Sequence, residues 1–151
     1  MRLHRVEWTY KHCPIYFCTL VAHERKPLFA NSCVDSAFNA FAAGAAQHGV
    51  LVGRYVLMPD HIHFFAAFGS DASNLSIWVK SLKNALSKCL RSNGVPSPHW
   101  QKGFFDHILR SDESYASKWD YVRMNPVRAG LVRCPEEWKF QGEVFQLKVS
   151  S

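Results

Sequence analysis

Hydrophobic side chains along this chain follow two kinds of pattern, and the first predicts β-strands. Four short segments are rich in aromatic and β-branched residues and are bounded by glycine, proline or polar residues, as is typical of strands. Pro59 and Asp60 form a tight-turn pair between the second and third segments, so these two strands are predicted to form a hairpin. The predicted strands are 15–21, 50–58, 61–68 and 100–109.

The second pattern, apolar residues recurring every three or four positions, predicts helices. The first helix is capped by Ser32 and continues to about His48, where Gly49 ends it. The second helix begins at Ser73 or Asn74 and has a clear apolar stripe, which consists of Leu75, Trp78, Leu82, Leu86 and Leu90.

A third helix is predicted from Ser111, its N-cap, to about Asn125. It is limited there because Pro126 disfavours the helical conformation of the residue before it. A short extra turn over 127–131 follows, and Gly130 closes it. The side chains suited to packing on this helix are Tyr115, Trp119 and Val122.

The order of these elements, βαββαβα, predicts an α+β fold. The first six elements match the ferredoxin-like or RRM-like arrangement, an antiparallel sheet with two helices packed on one face. The third helix is then free to cover the opposite face. We expect a single domain over 1–151, in which 139–151 form a short strand or a docked extension.

Composition narrows the classes of protein to consider. Of 151 residues, 48% are hydrophobic and 20% are charged, which is an ordinary globular composition rather than a disordered one. Lysine and arginine exceed aspartate and glutamate by 18 to 12, giving a net charge of +6. This balance favours an anionic partner such as nucleic acid without requiring one.

The cysteines and the apolar runs indicate a reducing, aqueous compartment. Five cysteines form no C-x-x-C pair, so we expect free thiols and no zinc module. The amino-terminal stretch has no apolar core of signal-peptide length, and no apolar run is long enough to cross a membrane. We therefore expect a cytoplasmic protein with no membrane partner.

Two histidines, His61 and His63, begin the third predicted strand. Alternate side chains of a strand share a face, so both rings point the same way from Cα atoms about 6.6 Å apart. They are close enough to bind one metal ion. An H-x-H strand alone is more often structural, because satisfied interior histidines are common.

The third helix has a polar face beside its apolar stripe. At 100° per residue, Tyr121 groups with Ser114, Lys118 and Asn125, and Tyr121 and Asn125 are predicted i,i+4 neighbours on one helix. Such a tyrosine faces something polar. Arginines that suit a phosphate-rich partner surround the helix, namely Arg110, Arg123 and Arg128.

Three segments in this order, MPDHIHFF, WQKGFFDHILR and YVRMNPVRAGLV, strongly resemble the motifs of REP-associated tyrosine transposases. These are HUH single-strand DNA nucleases, related to the single-tyrosine transposases of the smallest bacterial insertion sequences. The resemblance implies that His61 and His63 are metal ligands, that Tyr121 is the nucleophile and that Asn125 is a third ligand. It implies no constraint on Asp60, whose position varies in the family.

The resemblance also implies a reaction. A divalent metal, Mg²⁺ or Mn²⁺, would polarise the scissile phosphate of single-stranded or hairpin DNA, and Tyr121 would attack it to give a 5′-phosphotyrosine. The free 3′-hydroxyl would allow rejoining. Insertion-sequence relatives act as dimers and the REP-associated branch is expected to be monomeric, so both a monomer and a homodimer remain open.

Side chains near these motifs are candidates for DNA contacts. Trp100, Phe104 and Phe105 could stack on bases, although the two phenylalanines are more typical of a core. His107 could support the site or cap a loop. The candidate phosphate-binding residues are Lys102, Arg110, Lys118, Arg123 and Arg128.

Two other functions remain compatible with the sequence. One is a metal-dependent single-strand nuclease that cuts without rejoining, and the other is an inactive hairpin-binding protein of the same fold. The complete set of His61, His63, Tyr121 and Asn125 argues against the inactive form. A two-histidine phosphoesterase acting on cyclic phosphates would need a second His-x-Ser/Thr element, which the sequence lacks.

Overall fold

A five-stranded antiparallel sheet forms the centre of the fold. The computed structural model describes residues 13–110 and 112–147, with the backbone alone at 112 and 113. The strand order is β4-β1-β3-β2-β5. The strands are β1 Ile15–Val21, β2 Val50–Leu57, β3 His61–Phe68, β4 Phe105–Leu109 and β5 Gln141–Glu143.

The first four strands have the order expected of a ferredoxin-like sheet, which confirms the predicted α+β class. β1 and β3 keep their predicted bounds and lie next to each other at the centre. β2 and β3 form the predicted hairpin, whose turn is closed by the Met58 amide donating to the His61 carbonyl at 2.8 Å. The central strands therefore hold the histidine pair in the middle of the sheet.

Helices α1 (Ser32–Ala45) and α2 (Leu75–Ser92) cover one face of the sheet. Phe38, Phe64 and Leu82 are fully buried between helices and sheet. The predicted cap of α1 is wrong: Asn31, not Ser32, accepts a hydrogen bond from the Val34 amide. An Asx side chain before the first helical residue satisfies an amide that has no partner inside the helix.

The opposite face packs against α3 (Asp112–Val122), as expected for the third helix. Val122 is buried, and Tyr115 and Trp119 pack on Phe65 with ring centroids 4.8 and 6.3 Å away. The apolar stripe predicted for this helix is therefore its packing face. Ser111, the predicted cap, lies outside the described residues.

The third helix does not reach Asn125 as predicted. It ends at Val122, and a short second helix, α4, spans Asn125–Arg128. Pro126 explains the break, because proline fits the first turn of a helix but cannot supply an amide to an ongoing one. Gly130, with φ of 76°, closes α4, where the sequence predicted an extra turn.

β4 is shorter than predicted, since regular pairing starts at Phe105 rather than at Trp100. Trp100 contributes one isolated bridge to Ala22 and stacks on Phe29 with centroids 4.8 Å apart. Its indole nitrogen donates to Ser87 Oγ at 2.9 Å. Trp100 therefore anchors the loop before β4 in the core.

The chain after α4 returns to the sheet. Trp138 donates from Nε1 to the Leu57 carbonyl at 3.1 Å, and β5 then pairs with β2. β5 lies at the start of the tail 139–151, for which a short strand or a docked extension is expected, and Leu147 after it is buried. All five cysteines are free thiols, as expected. Within 13–110 and 112–147, no helix is long and apolar enough to cross a membrane.

Candidate active site

His61 and His63 lie on the face of the sheet that α3 covers. Strand alternation places them with Phe65, which packs under that helix. Their ring centroids are 4.7 Å apart, and the rings are inclined by 74°. The two imidazoles form the close pair that the sequence predicted.

Each histidine has a hydrogen-bond partner at Nδ1. His61 Nδ1 lies 2.8 Å from Asp60 Oδ1, and His63 Nδ1 lies 2.8 Å from Thr19 Oγ1. Thr19 faces His63 directly across the β1–β3 register. A carboxylate and a hydroxyl oxygen can both accept a hydrogen bond from Nδ1–H, and in that tautomer the lone pair is on Nε2, as in metal-bound histidines.

His63 is held in its neutral form. Burial, followed by the charges of His61, Lys118 and Arg128, lowers the pKa of His63 to about 3. The Phe17 ring stacks on the imidazole, with centroids 5.2 Å apart and planes 26° apart. A neutral imidazole is the form that can bind a metal, so the protonation state of His63 at physiological pH is compatible with a ligand role.

Asp60 is itself held in place by a cation. Its Oδ2 lies 2.9 Å from Arg25 Nε. Burial alone would raise the pKa of Asp60, but the hydrogen bond and charge of His61 and the charge of Arg25 outweigh it and lower that pKa. The carboxylate beside His61 is therefore ionised at neutral pH.

Tyr121 lies near the end of α3 with its side chain 61% exposed. The guanidinium carbon of Arg128 lies 4.0 Å from the centre of its ring, and Lys118 Nζ lies 6.0 Å away. An accessible phenol beside two cations is suited to bind and attack an anionic group.

Asn125 is linked to Tyr121 through Arg128 rather than through one continuous helix. Arg128 Nη2 donates to Asn125 Oδ1 at 2.6 Å and to the Tyr121 carbonyl at 2.7 Å. The sequence placed the tyrosine and the asparagine on one helical face. They instead lie on either side of the break between α3 and α4, and an arginine connects them.

Lys118 connects the tyrosine to the histidine pair. Its ammonium lies 4.8 Å from the centre of the Phe17 ring, the same ring that stacks on His63. The other side of the ammonium faces the Tyr121 ring. Tyr121, Lys118, Phe17 and His63 therefore follow one another across a single site between α3 and the sheet.

An open groove of about 620 Å³ adjoins this site between β4 and α3. Among its lining residues are Tyr121, Lys118 and Ser114, the polar helix face predicted from the sequence. Arg110 and His107 line the opposite wall. His107 thus belongs to the groove, whereas Thr19 and Asp60 are the partners that contact the histidine pair.

The other candidate DNA contacts differ in their surroundings. Arg123 forms ion pairs with Glu136 at 3.4 Å and with Asp120 at 3.5 Å. Lys102 is exposed in the loop before β4, outside the residues that line the groove. Phe104 packs against the core, as is typical of such a residue, but Phe105 is 61% exposed. Phe105 pairs with Thr19, the partner of His63, on the site face of the sheet.

The donor set limits how this site could hold a metal. Across the described part of the chain, no three His, Cys, Asp or Glu side chains are grouped so that they could hold one. Two imidazoles therefore need a ligand of another type, and a carboxamide oxygen near Arg128 is available. Asn125 Oδ1 has two lone pairs, of which the Arg128 hydrogen bond takes one. The residues present fit a cation that completes its coordination with phosphate and water.

A family model described as "Transposase IS200 like" matches residues 11–123 of this chain. The chain belongs to this family. Its members are DNA-cleaving and DNA-joining enzymes, and the resemblance seen in the sequence motifs is confirmed. The matched range includes His61, His63 and Tyr121 and ends just before Asn125.

Two relatives with assigned names are similar to this chain. A Haemophilus influenzae protein with the provisional name REP-associated tyrosine transposase is 24% identical over 136 residues, which cover 83% of this chain and 77% of that protein. The REP-associated tyrosine transposase of Escherichia coli is 24% identical over 89 residues. These residues cover 59% of this chain and 52% of the Escherichia coli protein. The chain thus spans about half the length of the Escherichia coli relative.

Two solved structures share the fold. A REP-associated tyrosine transposase bound to a REP hairpin superposes with a TM-score of 0.71 at 19% identity, covering 94% of this chain and 93% of that one. A Deinococcus radiodurans protein gives a TM-score of 0.54 at 17% identity, covering 75% and 91%. At these identities the likeness establishes the architecture.

Sequence reasoning missed four side chains of the site, which are Phe17, Thr19, Asp60 and Arg25. Thr19 lies 44 positions from His63, and only the strand register brings them together. The family resemblance implies no constraint on Asp60, although its place next to His61 is a usable signal. Arg25 lies in a polar loop, and nothing in the sequence connected it to the histidines.

Proposed function

We propose that this protein is a metal-dependent transposase that cleaves and rejoins single-stranded or hairpin DNA through a 5′-phosphotyrosine. One observation carries the proposal: an exposed tyrosine and a half-buried, neutral histidine lie in one site, linked through Lys118 and Phe17. Membership of the IS200-like transposases supports the reaction class.

His61, His63 and Asn125 would hold the divalent ion. When bound, Mg²⁺ or Mn²⁺ would neutralise charge on the scissile phosphate, and imidazole ligands shift the preference toward Mn²⁺. Because all three ligands are neutral, they would leave the positive charge of the ion undiminished. Thr19 and Asp60 would fix the two imidazoles so that the site needs little reorganisation on binding.

Tyr121 would attack the phosphorus through its phenolic oxygen. The bond between phosphorus and the 3′-oxygen breaks, the 3′-hydroxyl leaves, and the 5′-phosphate remains on Tyr121. A 3′-hydroxyl from another strand can reverse the step without ATP. The cations of Lys118 and Arg128 lie beside the Tyr121 ring and would attract the anionic phosphate toward it.

The groove between β4 and α3 would take the strand beside the scissile phosphate. Lys118 and Arg110 line it and would hold phosphates, while the exposed Phe105 offers a surface on which a base can stack. A single strand fits better than a duplex, because the attacked phosphate must reach a partly buried site. The hairpin named for the similar solved structure supports a REP-like substrate.

The experiment is a covalent-adduct assay. Labelled hairpin DNA with single-stranded flanks is incubated with the protein and Mn²⁺, and products are separated under denaturing conditions. We expect a protein–DNA adduct that disappears with Tyr121→Phe and with EDTA. Tyr115→Phe is a matched control on the same helix, because Tyr115 packs on Phe65 in the core.

Each of the other outcomes would contradict a different part of this proposal. An adduct that persists in Tyr121→Phe would show that the nucleophile is wrong. Metal-dependent cleavage without an adduct would favour a plain single-strand nuclease. Hairpin binding without cleavage would favour an inactive DNA-binding protein. Adding an acceptor strand with a free 3′-hydroxyl then separates rejoining from cleavage alone.

A further inference from the structure

Two consecutive non-glycine residues near the histidine pair have left-handed backbone conformations. Glu24 has φ of 54° and Arg25 has φ of 56°. Side chains with a Cβ rarely adopt this region, and such strain persists only where the surroundings impose it. Residues with strained backbone conformations often cluster at functional sites, and this turn contacts the candidate site.

The strained turn places Arg25 against Asp60. Arg25 Nε lies 2.9 Å from Asp60 Oδ2, and the amide of Ala22 donates to the Asp60 carbonyl at 2.9 Å. The amide of Phe29 donates to the Pro59 carbonyl at 3.0 Å. The loop after β1 is thus bound to the β2–β3 turn on both sides of Arg25.

The other carboxylate oxygen of Asp60, Oδ1, contacts the candidate metal ligand His61. Oδ1 lies 2.8 Å from His61 Nδ1, while Oδ2 is held by Arg25. A carboxylate oxygen at this distance can accept a hydrogen bond from Nδ1–H, which favours the tautomer whose lone pair is on Nε2. His63 obtains the same orientation from Thr19, which is part of the sheet and needs no anchor.

We propose that Arg25 and Asp60 are positioning residues, which fix the tautomer and ring orientation of His61 for metal binding. The inference rests on the proposed function, since it assigns a role toward the metal held by His61. The strain at Glu24 and Arg25 is then explained, because a relaxed turn would not present Nε to Asp60. Neither residue contacts the DNA or the metal in this role.

The tautomer of His61 provides a test that needs no metal. Nitrogen-15 NMR of the metal-free protein should show His61 protonated at Nδ1 at neutral pH. In Asp60→Ala we expect a mixture of tautomers, and in Arg25→Met a smaller change in the same direction. An unchanged His61 spectrum in Asp60→Ala would overturn the proposal.

Metal affinity provides the second test. Mn²⁺ binding to the metal-free protein should weaken about 10- to 100-fold in Asp60→Ala, as for other partners of metal-bound histidines. Arg25→Met should weaken it several-fold, and Arg25→Lys should restore part of the loss. Lys26→Met is the control, because it removes a neighbouring exposed cation that pairs with Glu24 at 3.8 Å.

His61→Ala separates this inference from the proposed function. If His61→Ala binds Mn²⁺ as well as the unmodified protein does, the proposed metal site is wrong. If His61→Ala loses binding while Asp60→Ala and Arg25→Met keep it, only the positioning role is wrong. Lower thermal stability in the variants, with unchanged affinity and tautomer in the folded protein, would show that the contact is merely structural and would also overturn the role.

Discussion

Arg128 donates a hydrogen bond from Nη2 to the side-chain oxygen of Asn125 at 2.6 Å, across the start of α4. The same nitrogen donates to the Tyr121 carbonyl at 2.7 Å, and the guanidinium carbon lies 4.0 Å from the centre of the Tyr121 ring. One arginine therefore fixes the candidate nucleophile and the candidate third ligand relative to each other.

Replacing Arg128 should slow the chemical step more than it weakens DNA binding. In Arg128→Met we expect the rate of adduct formation to fall by about tenfold or more, because misplacing a nucleophile is costly even at small distances. Single-turnover adduct formation and hairpin affinity, measured separately, check this. Arg133→Met, an exposed arginine beyond α4, is the control. Equal losses in rate and affinity would mean that Arg128 only binds phosphate.

Lys118 should contribute to DNA binding through the groove. Lys118→Met is expected to weaken hairpin binding several-fold and to reduce the slope of log affinity against log salt by about 1, as for one lost phosphate contact. Fluorescence anisotropy at several salt concentrations measures both quantities. Lys88→Met is the matched control, because Lys88 is exposed on α2, on the other face of the sheet. An equal effect of the two substitutions would place the DNA elsewhere.

Acid should destabilise the metal-free protein through His63. The pKa of this histidine is lowered to about 3 in the folded state by burial, then by the charges of His61, Lys118 and Arg128. An exposed histidine in the unfolded chain has a pKa of about 6.5, so between pH 6.5 and 3 the unfolded state binds the extra proton. The free energy of unfolding should therefore fall as pH falls through this window, by at most about 1.4 kcal/mol per pH unit.

Urea unfolding between pH 6.5 and 4.5, in EDTA, measures this dependence before most carboxylates titrate. His63→Gln should flatten the curve, because the glutamine does not titrate. A slope that is the same in the variant would assign the acid sensitivity to other groups.

Gly53 should be intolerant of a side chain. A methyl group there would lie 2.6 Å from Leu147 Cδ1 and 2.8 Å from Tyr115 Oη. Gly53→Ala should therefore displace the docked tail or α3 and lower the free energy of unfolding by about 1–3 kcal/mol. Gly44→Ala on α1 is the control, because its methyl group would meet nothing within 4 Å and should stabilise the helix by up to about 1 kcal/mol. Urea unfolding of both variants decides the matter, and equal stabilities would contradict the tight packing at Gly53.

The sequence by itself determined the architecture and the candidate residues of the site. Strand alternation put His61 and His63 on one face, and the bounds of β1 and β3 followed from runs of branched and aromatic residues. The apolar stripe of α3 placed Tyr121 away from the core. These features depend on local periodicity and on neighbours within a few positions, which a sequence displays directly.

Only the tertiary structure decided what holds these groups. The Thr19 contact depends on strand register, the Arg25 contact on a strained turn, and the Arg128 contact on a break that Pro126 introduces between two helices. Each contact joins side chains whose directions are set by the packing of separate elements. Local periodicity carries no information about those directions, because the same sequence pattern is compatible with many registers and helix ends.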